Sequence, residues 1–229
     1  MNYRFSAVTI LTLLCGLGSA EGFNSITPAE RSSGWQLLFD GTTLNGWRGF
    51  RDEKPGTGWI VANGELTTPG HIGDLVTVGE FGNFELRVSW KVGKGSNSGI
   101  IYRVGLDGSG PHETGPEYQL LDNPNSNEND GLHSAGALYD VIAPDKDAIR
   151  PTGEWNDTLI VVRGWKIQHW LSGEKIVDID LASAQGRELV ARSKFRLMPN
   201  FASQLRGHIT LQDHGGLVSF RDIKIRELN

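Results

Sequence analysis

Cysteine is almost absent: Cys15 is the single one in 229 residues, and it falls in an apolar amino-terminal stretch. No disulfide can staple the rest of the chain and no thiolate is at hand as a nucleophile, so the core alone must hold the fold. Positive charge is scarce as well, with 22 Lys and Arg against 27 Asp and Glu. A surface without a basic excess suits a phosphate backbone poorly, which removes nucleic acid from the expected partners. There is no glycine-rich phosphate loop, no Gly-x-Ser-x-Gly elbow and no His-Glu-x-x-His. The apolar run Ala7–Leu14 is too short to span a bilayer. Arg4 precedes it and Gly18-Ser19-Ala20 follows, so residues 1–20 read as a secretory signal. The expectation is one exported domain over 21–229, periplasmic or secreted. Lipid attachment at Cys15 is the less favoured route, because Leu14 stands where a small residue is expected.

What the chain does contain is glycine, proline and tryptophan: 30, 9 and 7 respectively. That composition suits short strands and many turns better than helices. Apolar and polar residues alternate over Trp35–Phe39, Trp59–Val61, Glu65–Thr67, Phe84–Val92, Gly99–Val104, Glu117–Leu121, Thr158–Arg163, Lys166–Leu171, Gly207–Asp213 and Val218–Glu227. Asn63-Gly64 and Ser172-Gly173 are hairpin turn signals. Leu181–Lys194 lacks the alternation and suits a short helix on the sandwich edge. The pattern predicts an all-β fold, an antiparallel β-sandwich or jelly roll with at most one or two short helices. The long segment Leu106–Ala135, broken only by Glu117–Leu121, is of the length that shapes binding sites.

Two strands carry unusual polar faces. On Glu117–Leu121, Glu117 and Gln119 share a face, while Tyr118, Leu120 and Asp122 share the other. The spacing is similar to the Glu-x-Asp-x-x-Glu strand of jelly-roll glycosidases, in which a bulge brings the third carboxylate round; Gln119 and Asp122 occupy the second and third positions. The bland alternative is a half-exposed strand with solvated side chains. On the second strand His208, Thr210, Gln212 and His214 alternate with Ile209 and Leu211. Such a row supplies the donors and acceptors that sugar hydroxyls need. Its two histidines leave a divalent metal ion open as an alternative, although strand spacing is a weak ligand signal.

Arg103 ends the strand opened by Ser96-Asn97-Ser98-Gly99 and is either an oxyanion stabiliser or a rim ion pair. His133, Tyr139 and Asp140 follow the long loop and could reach a groove or serve the framework. Trp35, Trp59, Trp90 and Trp170 fall in apolar runs and read as core. Trp47, Trp155 and Trp165 lie beside turns, where stacking on a sugar competes with packing.

Taken together and in order, several stretches resemble the 3-keto-disaccharide hydrolase domain family. They are Leu38-Phe39-Asp40-Gly41-Thr42-Thr43-Leu44-Asn45-Gly46-Trp47, Trp59-Ile60-Val61-Ala62-Asn63-Gly64-Glu65-Leu66, Asn83-Phe84-Glu85-Leu86, Ser96-Asn97-Ser98-Gly99-Ile100 and Glu117-Tyr118-Gln119-Leu120-Leu121-Asp122. The most specific piece is Gly207–Gly215 followed by Val218–Leu228. The likeness runs from about Trp35 to the carboxyl terminus and departs at Leu171-Ser172-Gly173, where the family shows Leu-Asn-Gly.

The resemblance implies a concanavalin-like jelly roll and action on small carbohydrate glycosides already oxidised at C3. A C3 ketone acidifies the C2 proton, so a base can remove it, the C1 group can leave by elimination, and water can add back. On this reading Glu117 or His214 is the base, and Arg103 or a bound cation stabilises the enolate. Gln119, Gln212, Tyr139, Asp122 and His133 bind and orient the sugar. An upstream sugar 3-oxidoreductase is the implied partner. The alternatives are a non-catalytic, lectin-like carbohydrate-binding module and an ordinary glycosidase, the latter disfavoured by Gln119 where a carboxylate is expected.

Overall fold

The computed structural model describes residues 22–127 and 130–229, so the secretory signal read over residues 1–20 lies outside the described residues. A short helix α1 (Pro28–Ser32) opens the described chain, closed by a capping box between Thr27 and Glu30. Thirteen strands follow among the described residues: β1 (Gln36–Leu37), β2 (Trp47–Gly49), β3 (Ile60–Ala62), β4 (Glu65–Thr68), β5 (Leu75–Thr77), β6 (Phe84–Val92), β7 (Asn97–Val104), β8 (Glu117–Leu121), β9 (Asn156–Arg163), β10 (Lys166–Leu171), β11 (Glu174–Asp180), β12 (His208–Leu211) and β13 (Val218–Glu227). Helix α2 (Ala184–Arg192) sits between β11 and β12, inside the stretch whose missing alternation predicts it.

All pairings between these strands are antiparallel. One sheet runs β11-β10-β9-β6-β13-β4-β3, with β1 also on β13; the other runs β2-β5-β12-β7-β8. The two inner faces meet in one core. Leu86, Trp90, Ile160 and Phe220 come from the larger sheet, and Ile100, Tyr102, Tyr118, Leu120, Ile209 and Leu211 from the smaller. The expected sandwich is therefore what forms, because period-two alternation gives each sheet one apolar face to cover.

Some local expectations shift. Strands β2, β5 and β11 are too short or too mixed for alternation to mark them. Trp170 is not core: β10 turns His169 inward instead, with Trp170 half-buried on the outer face. His169 sits fully buried between the Tyr102 hydroxyl (2.9 Å from Nε2) and the Gly136 carbonyl (2.9 Å from Nδ1). Burial holds it down at a pKa of about 4, so it is a neutral core residue. Trp47 packs with its indole N–H donating to the Leu38 carbonyl at 2.6 Å. Trp155 lies between Lys91 and Arg221, and Trp165 lines a groove against α2. None of the three reaches the polar pocket described below.

Candidate active site

The outer face of the five-stranded sheet carries the site, and the register explains how. Glu117 pairs with Ile101 and Gln119 with Gly99 across β7 and β8, while Thr210 of β12 pairs with Ile101 on the other side. Beyond the end of β12, the Gln212 amide donates to the Gly99 carbonyl at 2.9 Å. Partnered residues point to one face, so Glu117, Gln119 and Gln212 converge around Gly99, while Tyr118, Leu120, Ile209 and Leu211 fill the core beneath. The glycine is required there. A Cβ on Gly99 would stand 2.8 Å from Glu117 Cδ and 2.9 Å from Cγ, so the Glu117 side chain occupies the space that any other residue would fill.

Three further segments wall this face into a pocket of about 240 Å³, lined by Asn97, His112, Glu117, Gln119, Tyr139, Lys194, Gln212 and His214. His112 comes from a one-turn 3₁₀ segment (Pro111–Glu113) of the long loop. Tyr139 is fastened by its backbone N–H to the Glu117 carbonyl at 3.0 Å. Lys194 follows α2; its backbone N–H donates to Asp140 at 2.5 Å, and its Nζ lies 4.1 Å from the centre of the Tyr139 ring. Gln119 donates through Nε2 to Asn97 Oδ1 at 3.2 Å, leaving its own Oε1 buried without a partner. A buried acceptor of that kind awaits a donor.

Electrostatically, Glu117 dominates. It is 4% exposed, and among the described residues no cation makes an ion pair with it. Burial drives its pKa up to about 8; the charge of Lys194 pulls the other way, and the carboxylate of Asp74 adds to the rise. Asp74 is itself raised, chiefly by burial and also by Asp213; its Oδ1 accepts from the Asp213 backbone N–H at 2.8 Å. His112 is held below the ordinary histidine range, first by burial and then by the Lys194 charge.

Of the residues given a role on the family resemblance, Glu117, Gln119, Gln212, His214 and Tyr139 meet in this pocket, and Arg103, Asp122 and His133 do not. Arg103 leaves the alternation because β7 and β12 slip register between His208 and Ile209, and its own φ is +54°. Its guanidinium is spent on the Gly82 and Gly164 carbonyls and on Asn83 Oδ1. Asp122 is fully buried and not brought round by a bulge: it accepts from the Gly95 N–H at 2.7 Å and the Thr152 hydroxyl at 2.6 Å. His133 stands behind the wall, bridging Asp130 and Asp140 at 3.0 Å each, its ring centre 4.6 Å from that of Tyr139 and tilted 41° to it. Among the described residues no three His, Cys, Asp or Glu side chains stand close enough to share a metal ion. No step is therefore assigned to one.

Residues 34–226 match the model of the 3-keto-alpha-glucoside-1,2-lyase-like domain. The chain belongs to that family. A relative from Bacteroides thetaiotaomicron, named 3-keto-disaccharide hydrolase, is 32% identical, over 92% of this chain and 84% of its own. Among solved structures, a glycosyl hydrolase-like protein of Parabacteroides distasonis superposes with a TM-score of 0.86 at 32% identity, covering 91% of this chain and all of that one. A second from the same organism gives 0.67 at 25%, covering 85% and 99%.

In this lyase-like domain the residues missed from sequence are the ones that non-local packing delivers. Lys194 closes a helical stretch and His112 lies in a loop flagged only for its length, and neither position carries a periodic signal. Asn97 was visible inside Ser96-Asn97-Ser98-Gly99, but its partner Gln119 stands 22 residues away.

Proposed function

We propose that this protein cleaves glycosides carrying a ketone at C3, by proton abstraction at C2, elimination of the C1 substituent and hydration of the product. The single observation that carries the reading is Glu117: a carboxylate buried in a polar pocket, poised near pH 8, with one lysine close by. A base acting on a carbon acid at neutral pH needs a pKa near the working pH, which an ordinary glutamate lacks.

Glu117 takes the C2 proton, and the C–H electrons form the C2–C3 enolate with charge on the C3 oxygen. Lys194, in the role the sequence suggested for Arg103, neutralises that oxygen. The enolate then collapses: the ketone re-forms, a C1–C2 double bond appears and the C1–O bond breaks. His214 protonates the departing oxygen. Addition of water, hydroxyl to C1 and proton to C2, completes a net hydrolysis. Gln119 and Gln212 orient the ring, the Gln119 Oε1 accepting from a sugar hydroxyl.

An ordinary glycosidase needs two carboxyl groups flanking the bond, and Glu117 is the only carboxylate among the described residues that line the pocket. Because this route consumes a ketone, an oxidoreductase removing two electrons from the C3 alcohol must act first. If residues 1–20 act as the secretory signal expected from sequence, both steps take place outside the cytoplasm.

The test is mass spectrometry of purified protein incubated with a 3-keto-disaccharide and, separately, with its unoxidised parent. Consumption of the keto form alone, abolished in Glu117→Gln, is expected. Consumption of the parent, or full turnover by the Gln variant, would sink the reading.

A further inference from the structure

Beside the segment that carries Lys194 lies a separate groove of about 610 Å³, which shares no lining residue with the Glu117 pocket. Consecutive residues divide the two: Lys194 lines the pocket and Phe195 lines the groove. We propose that this groove is a second ligand site, and that it takes a single-chain amphiphile with an anionic head, of the fatty-acid type.

The floor selects the tail. Leu181, Val190 and Met198 line it with aliphatic surface, and Trp165 adds an indole. Phe195 and Phe201 stack on each other, ring centres 3.8 Å apart and planes 6° from parallel. Their facing surfaces are thereby used up, so a flat aromatic ligand cannot slide between them, whereas an alkyl chain needs only apolar area to cover. Methionine, unbranched and polarizable, moulds to such a chain. The volume is that of a site for one small molecule.

The rim selects the head. Arg187 and Arg196 line the groove, and among the described residues neither makes an ion pair. The other arginines of the same stretch are paired, Arg192 with Glu188 and Arg206 with Glu227. Both groove arginines are nonetheless held: Arg187 Nη1 donates to the Ala182 carbonyl, and Arg196 Nη1 to the Ser193 carbonyl at 3.1 Å. The remaining N–H donors of their forks suit a carboxylate. A bare inorganic anion would leave the apolar floor wet, and a neutral hydrocarbon would leave both charges unanswered.

The groove is also tied to the wall of the active pocket. Phe195 N–H donates to Ser193 Oγ at 3.1 Å. Ala202 N–H donates to the Thr114 carbonyl at 2.8 Å, two residues beyond His112. A ligand that binds this arrangement stabilises it. Occupancy therefore raises the melting temperature and keeps Lys194 at the pocket, without competing with the keto-sugar.

The experiment is calorimetry with sodium dodecanoate, below its micellar concentration, on wild type, Arg187→Gln/Arg196→Gln and Ala191→Phe. All three positions are exposed, so the variants should fold, and the new ring at 191 would fill the groove. Wild type should show one saturable site. Affinity should fall about tenfold or more in the double variant, from one or two lost charge-assisted hydrogen bonds, and comparably in Ala191→Phe. Butanoate, with the same head and little tail, should not displace dodecanoate. Absent or non-saturable binding, equal affinity in the three proteins, or displacement by butanoate overturns the site. None of these readouts uses a keto-sugar, so they stand whether or not the proposed function does. Where wild type is active, saturating dodecanoate should leave KM for a 3-keto-disaccharide within about twofold; competitive inhibition would put the amphiphile in the Glu117 pocket and overturn the assignment.

Discussion

Replacing Gly99 by alanine adds one methyl group, and the structure says where that methyl goes. It would lie 2.8 Å from Glu117 Cδ and 2.9 Å from Cγ, where ordinary contact begins near 3.4 Å. The carboxyl carbon must retreat by at least 0.6 Å (3.4 − 2.8), and the carboxylate oxygens with it. The backbone does not resist, since Gly99 is not in the left-handed region. Removing a flexible glycine from a strand at a compatible φ offsets part of the clash, by about 0.4–1 kcal/mol. The expectation is a folded protein with Tm within about 5 °C of wild type. A displaced base is felt by the reaction far more than by the fold: about 1 Å of misplacement costs on the order of 10²-fold. We expect kcat/KM on a 3-keto-disaccharide to fall by about 10–10²-fold, or ~1.4–2.7 kcal/mol of barrier. Because the methyl acts through Glu117, Gly99→Ala should add little to the loss already caused by Glu117→Gln. Steady-state kinetics on the two single variants and the double variant, with thermal melts alongside, check all of this. A Gly99→Ala protein that is folded and within threefold of wild-type kcat/KM would refute the idea that Glu117 is held in place for catalysis.

Three other expectations follow from the same structure. Glu117 keeps its proton in the folded state up to about pH 8, while an unfolded glutamate loses it near 4.5; stability should therefore fall as pH rises from about 4.5 to 8, by up to roughly 1.4 kcal/mol per pH unit. Denaturant titrations should show that slope in wild type and a flatter profile in Glu117→Gln, while wild-type kcat/KM climbs with pH towards 8. Lys194→Met should lower kcat by about 10²–10³-fold with little change in Tm. It should also move the rising limb of the pH–rate profile upward, since Lys194 is what restrains the Glu117 pKa. Arg103→Ala should cost about 2–4 kcal/mol in chemical denaturation, because it strips partners from the Gly82 and Gly164 carbonyls and Asn83; activity per folded molecule should be unchanged, and a kcat loss without a stability loss would restore Arg103 to the site.

The sequence by itself determined the sandwich and half of the site. Alternation over Glu117–Leu121 and His208–Leu211 is a local property of the pleat, so it placed Tyr118, Leu120, Ile209 and Leu211 in the core and left Glu117, Gln119 and Gln212 facing away from it. The order of motifs sufficed to suggest the family. The tertiary structure decided what alternation cannot encode. A register slip and a left-handed φ carry Arg103 out of its face, and a tie to the Gly95 and Thr152 segments turns Asp122 from ligand to framework. Lys194 and His112 arrive from segments outside the strands, one following α2 and one in the loop between β7 and β8. The raised pKa of Glu117 depends on how completely those segments bury it. Periodicity reports which side of a strand a residue faces; burial, charge and reach depend on what the rest of the chain brings to that side.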